Sequence, residues 1–173
     1  MFRTRIVCCL TFVLAELSAA GACGAGPSNR FTVHGPVSHG LTLAAALSSS
    51  QAVSGARIDI CLDLAARERT RLWTSGAAAD YEIDVIDAQT STRLAPQPSW
   101  HTVVGRVGSM TISAGHDAVD CLPLTRIFDL SRPGTYDVVA MRSRPRPYDD
   151  GDGTVTWPPV VSNHLTLTIL PPP

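Results

Sequence analysis

The stretch Phe128–Arg144, FDLSRPGTYDVVAMRSR, indicates how the rest of the chain folds. Pro133 fixes its own φ and Gly134 can adopt φ > 0, so this pair predicts a tight reversal of the chain. From Tyr136 onward the residues alternate between two faces, which is typical of a β-strand with one buried side. The face predicted to be buried carries Tyr136, Val138 and Ala140.

Similar alternation recurs along most of the chain, separated by clusters of Gly, Pro, Ser and Asp that favour turns. We expect strands over Leu41–Leu47, Ile58–Leu64, Thr70–Thr74, Tyr81–Asp87, Val103–Ile112, Ala118–Leu124 and Asn163–Leu170, a short edge strand at Phe31–Val33, and a 3₁₀ turn within Leu124–Leu130. Seven or eight short strands joined by turns predict an all-β fold, namely a two-sheet antiparallel β-sandwich.

Length and charge limit the possible classes of protein. The chain has 173 residues, which is enough for one domain with a hydrophobic core. Its formal net charge is −1, so the sequence predicts no basic face for nucleic acid and no nucleic-acid partner. We expect a flexible tether over residues 23–40, a single domain over 41–170, a tail at 171–173, and a monomeric protein.

Residues 1–22 have the features of a signal peptide. Two arginines precede the apolar run Ile6–Ala15, which is too short to span a bilayer, and small residues follow it. Cleavage at this point would leave Cys23 as the first residue, so the segment also resembles a degraded bacterial lipobox that would place a lipid on Cys23. The protein is therefore expected to be exported, as a secreted, periplasmic or outer-membrane lipoprotein, in the last case tethered to the membrane through Cys23.

Of the five cysteines, Cys8 and Cys9 lie in the predicted signal peptide, and if Cys23 is lipidated, Cys61 and Cys121 remain as an even pair. Such a pair in an oxidising compartment favours a disulfide. Each cysteine alternates with apolar neighbours, so both are expected on the outer faces of neighbouring strands. A bridge would close a loop of about 60 residues and add about 4 kcal/mol of stability. Two free, half-buried thiols are the alternative.

Several segments, in this order, resemble bacterial extracytoplasmic immunoglobulin-like domains: Ala52–Gly55, Tyr81–Asp87, Leu124–Ser131, Pro133–Val138 and Ser162–Asn163. The order is similar to the sandwich domain that precedes the catalytic domain of deuterolysin-type (aspzincin) metallopeptidases, and to small immunoglobulin-like proteinase inhibitors. The resemblance implies an immunoglobulin-like sandwich. In it, the Tyr136 hydroxyl after Pro133 and Gly134 would bond to upstream backbone, and Trp73 would fill the core.

The sequence carries none of the motifs by which common enzymes are recognised. It has no His-Glu-x-x-His, so the zinc chemistry of the metallopeptidases cannot be transferred to it. It also lacks Gly-x-Ser-x-Gly and the glycine-rich phosphate loops. The histidines are scattered without paired spacing, at positions His34, His39, His101, His116 and His164. We therefore predict a protein that is not an enzyme and has no cofactor and no metal site.

The long loop between the last two predicted strands is the candidate binding region. Its tip, Tyr148–Thr154, places three carboxylates within four residues, which could ligate Ca²⁺, but Asp-Gly steps are also typical of a plain hairpin turn, and we favour the turn. Long loops at one end of a sandwich often bind ligands. The predicted binding residues are Tyr148, Asp150, Asp152 and Trp157.

Taken together, these features predict an exported, non-enzymatic binding module that recognises a protein or a cell-envelope component. Two alternatives follow from the resemblance. One is a proteinase inhibitor whose long loop lies across a protease cleft, and the other is a detached accessory domain of a secreted metallopeptidase.

Overall fold

The computed structural model describes residues 31–100, 107–143, 145–150 and 155–173. The predicted signal peptide and lipidation site at Cys23 lie outside these ranges. The described strands are β1 (Leu41–Leu47), β2 (Gln51–Val53), β3 (Asp59–Ala66), β4 (Thr70–Thr74), β5 (Glu82–Asp87), β6 (Thr92–Arg93), β7 (Gly108–Ile112), β8 (Asp117–Pro123), β9 (Gly134–Arg142), β10 (Val160–Val161) and β11 (Leu165–Leu170). Two single-turn helices, α1 (Ala77–Asp80) and α2 (Leu124–Ile127), and a 3₁₀ turn (Tyr148–Asp150) complete the elements. The described chain is therefore all-β, as predicted.

The strands form three sheets within the described residues. A three-stranded sheet has the order β1-β3-β8, and a two-stranded sheet pairs β4 with β7. A six-stranded sheet has the order β2-β11-β9-β5-β6, with β10 pairing beside β9. All these pairings are antiparallel except that of β2 with β11, which is parallel.

One hydrophobic core contains side chains from all three sheets. The strand predicted from the sequence around Tyr136 buries Tyr136, Val138 and Ala140, as expected. The same cluster includes Leu64 of β3 and Leu167 of β11. Burial of alternating apolar side chains is thus what holds the separate sheets together.

The bounds of most predicted strands are close to those observed, and β4 matches residue for residue. The predicted edge strand at Phe31–Val33 does not form, since these residues have no ladder pairing. The segment after β8 contains a four-residue α-helix, α2, in place of a 3₁₀ turn. Short strands that the sequence did not indicate are β2, β6 and β10.

Trp73 is not the core residue that the resemblance implied. In β4 it is Leu72 that is fully buried, while Trp73 is half-buried and lies outside the core cluster. Adjacent strand residues face opposite sides, so a core position for Leu72 turns Trp73 to the other face.

Tyr136 makes the hydrogen bond that the resemblance implied, because its hydroxyl donates to the carbonyl of Arg132 at 2.8 Å. The bond spans the corner that contains Pro133 and leads into β9. Gly134 does not have a positive φ, so the expectation of φ > 0 there was wrong. A Cβ at Gly134 would meet only the Tyr136 ring, at an ordinary contact distance of 3.7 Å.

The predicted disulfide between Cys61 and Cys121 is confirmed. The two residues are register partners on β3 and β8, and their sulfurs are 2.04 Å apart. Cys121 is exposed as expected, but Cys61 is buried. The reason is that β3 is the middle strand of its sheet and every residue from Ile60 to Leu64 is buried.

Replacing Tyr136 with Phe should remove one hydrogen bond and keep the buried ring. We expect a loss of about 1 kcal/mol in the free energy of unfolding, measured by urea denaturation. Tyr148→Phe is the matched control, because the structure gives the Tyr148 hydroxyl no partner among the described residues. Equal stability of the Tyr136 variant and the wild type would show that the corner does not depend on this bond.

Replacing both Cys61 and Cys121 with Ser should destabilise the fold by about 4 kcal/mol, because the bridge closes a loop with a sequence separation of 60. The measurement is the urea midpoint of the oxidised wild type against the double variant. Reduced wild type should behave like the double variant. A midpoint unchanged by reduction would contradict this account.

Candidate functional site

A two-residue turn before β1 carries the first component of the site. Ser38 and Leu41 exchange two backbone hydrogen bonds of 2.9 Å, and His39 and Gly40 between them have φ of 48° and 73°. Two positive φ values are what a type I′ turn requires, and Gly or Asn normally occupies both positions. Non-glycine residues with positive φ are uncommon, although histidine adopts such values more often than most, and the conformation costs stability. The turn therefore places an exposed imidazole at a position that glycine or asparagine would occupy with less backbone strain.

The ring of His39 stacks on Trp157. Their ring centroids are 5.2 Å apart and their planes differ by 14°. Two contacts hold Trp157 in place. Its backbone N–H donates to the carbonyl of Pro145 at 2.8 Å, and its side chain packs against the core. Pro145 is itself buried. The exposed imidazole of His39 is therefore supported on one face by the Trp157 ring.

A second aromatic group lies in the loop between β9 and β10, which also contains Trp157. Tyr148 is in the 3₁₀ turn, and its ring packs against Trp73 with centroids 4.5 Å apart. The guanidinium carbon of Arg71 lies 3.6 Å from the centre of the Tyr148 ring. The loop is held to β4 by the backbone N–H of Trp73, which donates to the carbonyl of Arg146 at 3.0 Å.

Arg71 is held from two sides without a carboxylate. Its Nε and Nη2 donate to the hydroxyl oxygen of Ser109 at 3.1 and 2.9 Å, and its charged face lies on Tyr148. Among the described residues it makes no ion pair. A guanidinium has five N–H donors. Several donors of Arg71 therefore remain available in a fixed orientation.

These groups border one surface cleft of about 470 Å³, which we call the arginine cleft. It is lined by His39, Gly40, Arg67–Arg71, Pro147, Asp149 and Trp157. Arg67, Arg69 and Arg71 are exposed, and the described residues provide no ion-pair partner for them. The lining also holds two acids, Glu68 and Asp149. The cleft is open, its lining is about equally polar and apolar, and among the described residues it holds more cations than anions.

A buried cation fixes the end of β4, where Trp73 packs against Tyr148 at the border of the cleft. Arg142 is 3% exposed, and its Nη2 donates to the carbonyl of Trp73 at 2.9 Å and lies 3.1 Å from the carboxylate of Asp80. Its guanidinium lies 5.3 Å from the ring centre of Tyr81. Burial raises the pKa of the Tyr81 phenol to about 12, so the phenol stays neutral beside the ion pair. Arg142 thereby ties the end of β4, and with it the Trp73–Tyr148 contact, to β9.

The structure brings together two of the four predicted binding residues. Trp157 lines the arginine cleft, and Tyr148 lies beneath Arg71 at its border. Asp150 is the last residue of the 3₁₀ turn, and Asp152 lies outside the described residues. In the described ranges no three His, Cys, Asp or Glu side chains converge on a possible metal position.

Sequence reasoning missed His39 and the arginines of the cleft. The signal for the arginines was present, because Arg67, Arg69 and Arg71 occupy every second position, which places like charges on one side of an extended segment. For His39 the signal was weaker. A Ser-His-Gly sequence suggests a turn, but nothing local shows that its imidazole meets a tryptophan more than one hundred residues away.

A separate buried acid lies on β3. Asp63 is 4% exposed, and its Oδ1 has no hydrogen-bond partner among the described residues. Burial, with the nearby Asp117 carboxylate as the next cause, raises the pKa of Asp63 from 3.8 to about 6. The folded state therefore holds a proton on Asp63 more tightly than the unfolded chain does.

This pKa predicts how stability depends on pH. The contribution of Asp63 is greatest below its unfolded pKa, near pH 4, and is lost as the pH rises through about 6. Asp63→Asn should therefore gain up to about 2 kcal/mol relative to the wild type at pH 7.5 and little at pH 4, measured by urea denaturation. Asp137→Asn, at an exposed position of β9, is the control. Parallel pH profiles for wild type and Asp63→Asn would contradict the assignment.

Comparisons with known proteins identify no relative: no protein-family model matches the chain, and no curated protein matches it. The resemblance to deuterolysin-type domains and to small proteinase inhibitors therefore remains an expectation. Within the residues that the structure describes, every helix is too short to cross a membrane.

Proposed function

We propose that this protein is an exported, non-enzymatic binding module with an immunoglobulin-like sandwich fold, and that it recognises a protein or cell-envelope component through the arginine cleft. Support for the sandwich comes from the core shared by the three- and six-stranded sheets and from the Tyr136 hydrogen bond at the corner before β9. The disulfide supports an oxidising compartment, in which such bridges persist.

The observation that carries the proposal is the state of Arg71. A guanidinium is normally paired with a carboxylate when it is held in one orientation, yet Arg71 is held by a serine hydroxyl and a tyrosine ring. Fixing a side chain in advance lowers the entropy cost of binding. A cation held in place at the edge of a cleft, with donors that have no partner among the described residues, is suited to bind an anionic group.

His39 supports the same conclusion from the backbone. Its left-handed conformation costs stability, and the ring it presents stacks on Trp157 in the cleft. Strained non-glycine residues are concentrated at functional sites. The turn is thus best explained by a role for the imidazole.

The described ends of the long loop pack against the domain beside the arginine cleft. Pro145 is buried, Tyr148 packs on Trp73, and Trp157 packs against the core. These contacts hold both described ends of the loop against the domain. Inhibition of a protease by the purified protein at micromolar concentration would nevertheless favour the inhibitor function over this proposal.

The proposal is tested by capture from an envelope extract on the immobilised protein. The variant His39→Asn with Arg69→Glu should lose most of the captured partner, because it removes the imidazole that stacks on Trp157 and reverses one charge of the cleft. Arg126→Glu is the matched control, since Arg126 is an exposed arginine on α2 that does not line the cleft. Both variants should keep the wild-type urea midpoint.

Two results would contradict the proposal. Equal capture by the cleft variant and the wild type would place the binding surface elsewhere on the molecule. Equal loss by the Arg126→Glu control would show a general effect of net charge.

A further inference from the structure

We propose that the arginine cleft binds an anionic saccharide, that is, a sugar chain bearing carboxylate or phosphate groups. This inference rests on the proposed function and narrows it to one chemical class of ligand.

The charge of the ligand follows from Arg71. The planar guanidinium matches the two oxygens of a carboxylate or phosphate, and such paired hydrogen bonds are among the strongest in proteins. The bonds to Ser109 use Nε and Nη2, so both donors on Nη1 are left for a ligand. The Tyr148 ring beneath the guanidinium keeps its plane fixed. Arg71 is therefore ready to bind one anionic group.

The arginines next to Arg71 indicate how many anionic groups the ligand carries. Arg67 and Arg69 line the same cleft, and no ion pair to either is present among the described residues. Glu68 and Asp149 offset part of this charge. A ligand with one negative group would satisfy Arg71 and leave the other two guanidinium groups unpaired. A chain with repeated anionic groups can contact all three.

The shape and polarity of the cleft indicate that the ligand is a saccharide. An apolar ligand would require an enclosed apolar pocket, whereas this cleft of about 470 Å³ is open, and polar and apolar surface contribute about equally to its lining. The ligand is therefore a hydrated one. The exposed imidazole of His39, supported by the Trp157 ring on which it stacks, offers an aromatic face, which suits the carbon-bound hydrogens on one face of a sugar ring.

Nucleic acid and acidic peptides carry repeated negative charge as well. The formal net charge of −1 gives no long-range attraction for a long polyanion of any kind, so recognition rests on contacts within the cleft and the ligand is a short segment of saccharide. An acidic peptide in extended form would use backbone hydrogen bonds at a free strand edge, and beside the cleft β4 is covered on one side by β7 and on the other by the backbone of Arg146 and Pro147.

The test measures binding of labelled oligosaccharides to the purified protein by fluorescence anisotropy. The probes are an oligogalacturonate, a phosphorylated dextran and an uncharged dextran of similar length. Both anionic probes should bind and the uncharged one should not, and affinity should fall as salt is raised from about 50 to about 500 mM. The relative affinities of the two anionic probes distinguish a carboxylate from a phosphate source.

Variants of the cleft link this binding to the structure. Arg71→Ala should weaken binding about tenfold or more, since hydrogen bonds to charged groups contribute about 1.5–3 kcal/mol each. Arg71→Lys keeps the charge but removes the paired N–H donors of the guanidinium, so it should weaken binding severalfold. This variant replaces Arg71→Ala in the test if the alanine variant fails to fold. Arg126→Ala is the matched control and should bind as the wild type does.

His39→Asn separates function from folding. Asparagine tolerates φ > 0 better than histidine, so the urea midpoint should stay the same or rise, while the affinity for the anionic probes should fall. A merely structural role of His39 would change the midpoint and the affinity together, or neither.

The outcomes separate this inference from the proposed function. If neither anionic saccharide binds, but capture from the envelope extract still depends on the cleft, the partner is a protein and the saccharide is excluded. Tighter binding of a single-stranded oligonucleotide or a poly-glutamate peptide than of either saccharide would also overturn the inference. If the cleft variants affect neither saccharide binding nor capture, both the saccharide inference and the proposed function are wrong.

Discussion

The burial of apolar side chains on alternate positions of β3, β9 and β11 is the constraint on which the other features of the molecule depend. Leu64, Val138 and Leu167 come from two different sheets, yet they are fully buried in one cluster. Because a strand exposes alternate residues to opposite sides, this burial fixes which residues face outward. It therefore sets the positions of the disulfide, of the corner at Tyr136 and of the polar groups at the end of β4.

Arg142 shows how a charge is accommodated next to that core. An unpaired guanidinium in such a place would be very costly, and the ion pair with Asp80 together with the bond to the Trp73 carbonyl offsets part of this cost. The Asp80 carboxylate in turn accepts hydrogen bonds from the Thr74 hydroxyl and from the Ser75 backbone N–H. The segment from β4 to α1 is thereby fastened to β9 by polar contacts, and β4 carries Arg71 on its exposed side.

Sequence periodicity predicted the strands well because it reports a property of each strand by itself. Thr70–Thr74 was found with its observed bounds. The choice of its buried face was wrong, since Leu72 and Trp73 are both apolar and only packing decides between them. Strands of two or three residues, such as Val160–Val161, are too short to show a period.

The arginine cleft could not be predicted for a related reason. It joins His39, the segment Arg67–Arg71 and the loop that contains Trp157, which are far apart in the chain. Alternation shows the two sides of one strand, but it does not show which turns meet in space. The Cys61–Cys121 pair was predictable because the export signals reduced the number of candidate cysteines to two.

The parallel pairing of β2 with β11 has a consequence for how the molecule is assembled. β11 follows β2 by more than one hundred residues, yet it lies inside the six-stranded sheet between β2 and β9. Until β11 has been synthesised, its place between β2 and β9 is empty and both of these strands have an open side there. The sheet can therefore close only after β11 is available, and such long-range pairing is slow. An incomplete chain would present unpaired strand edges, which promote aggregation.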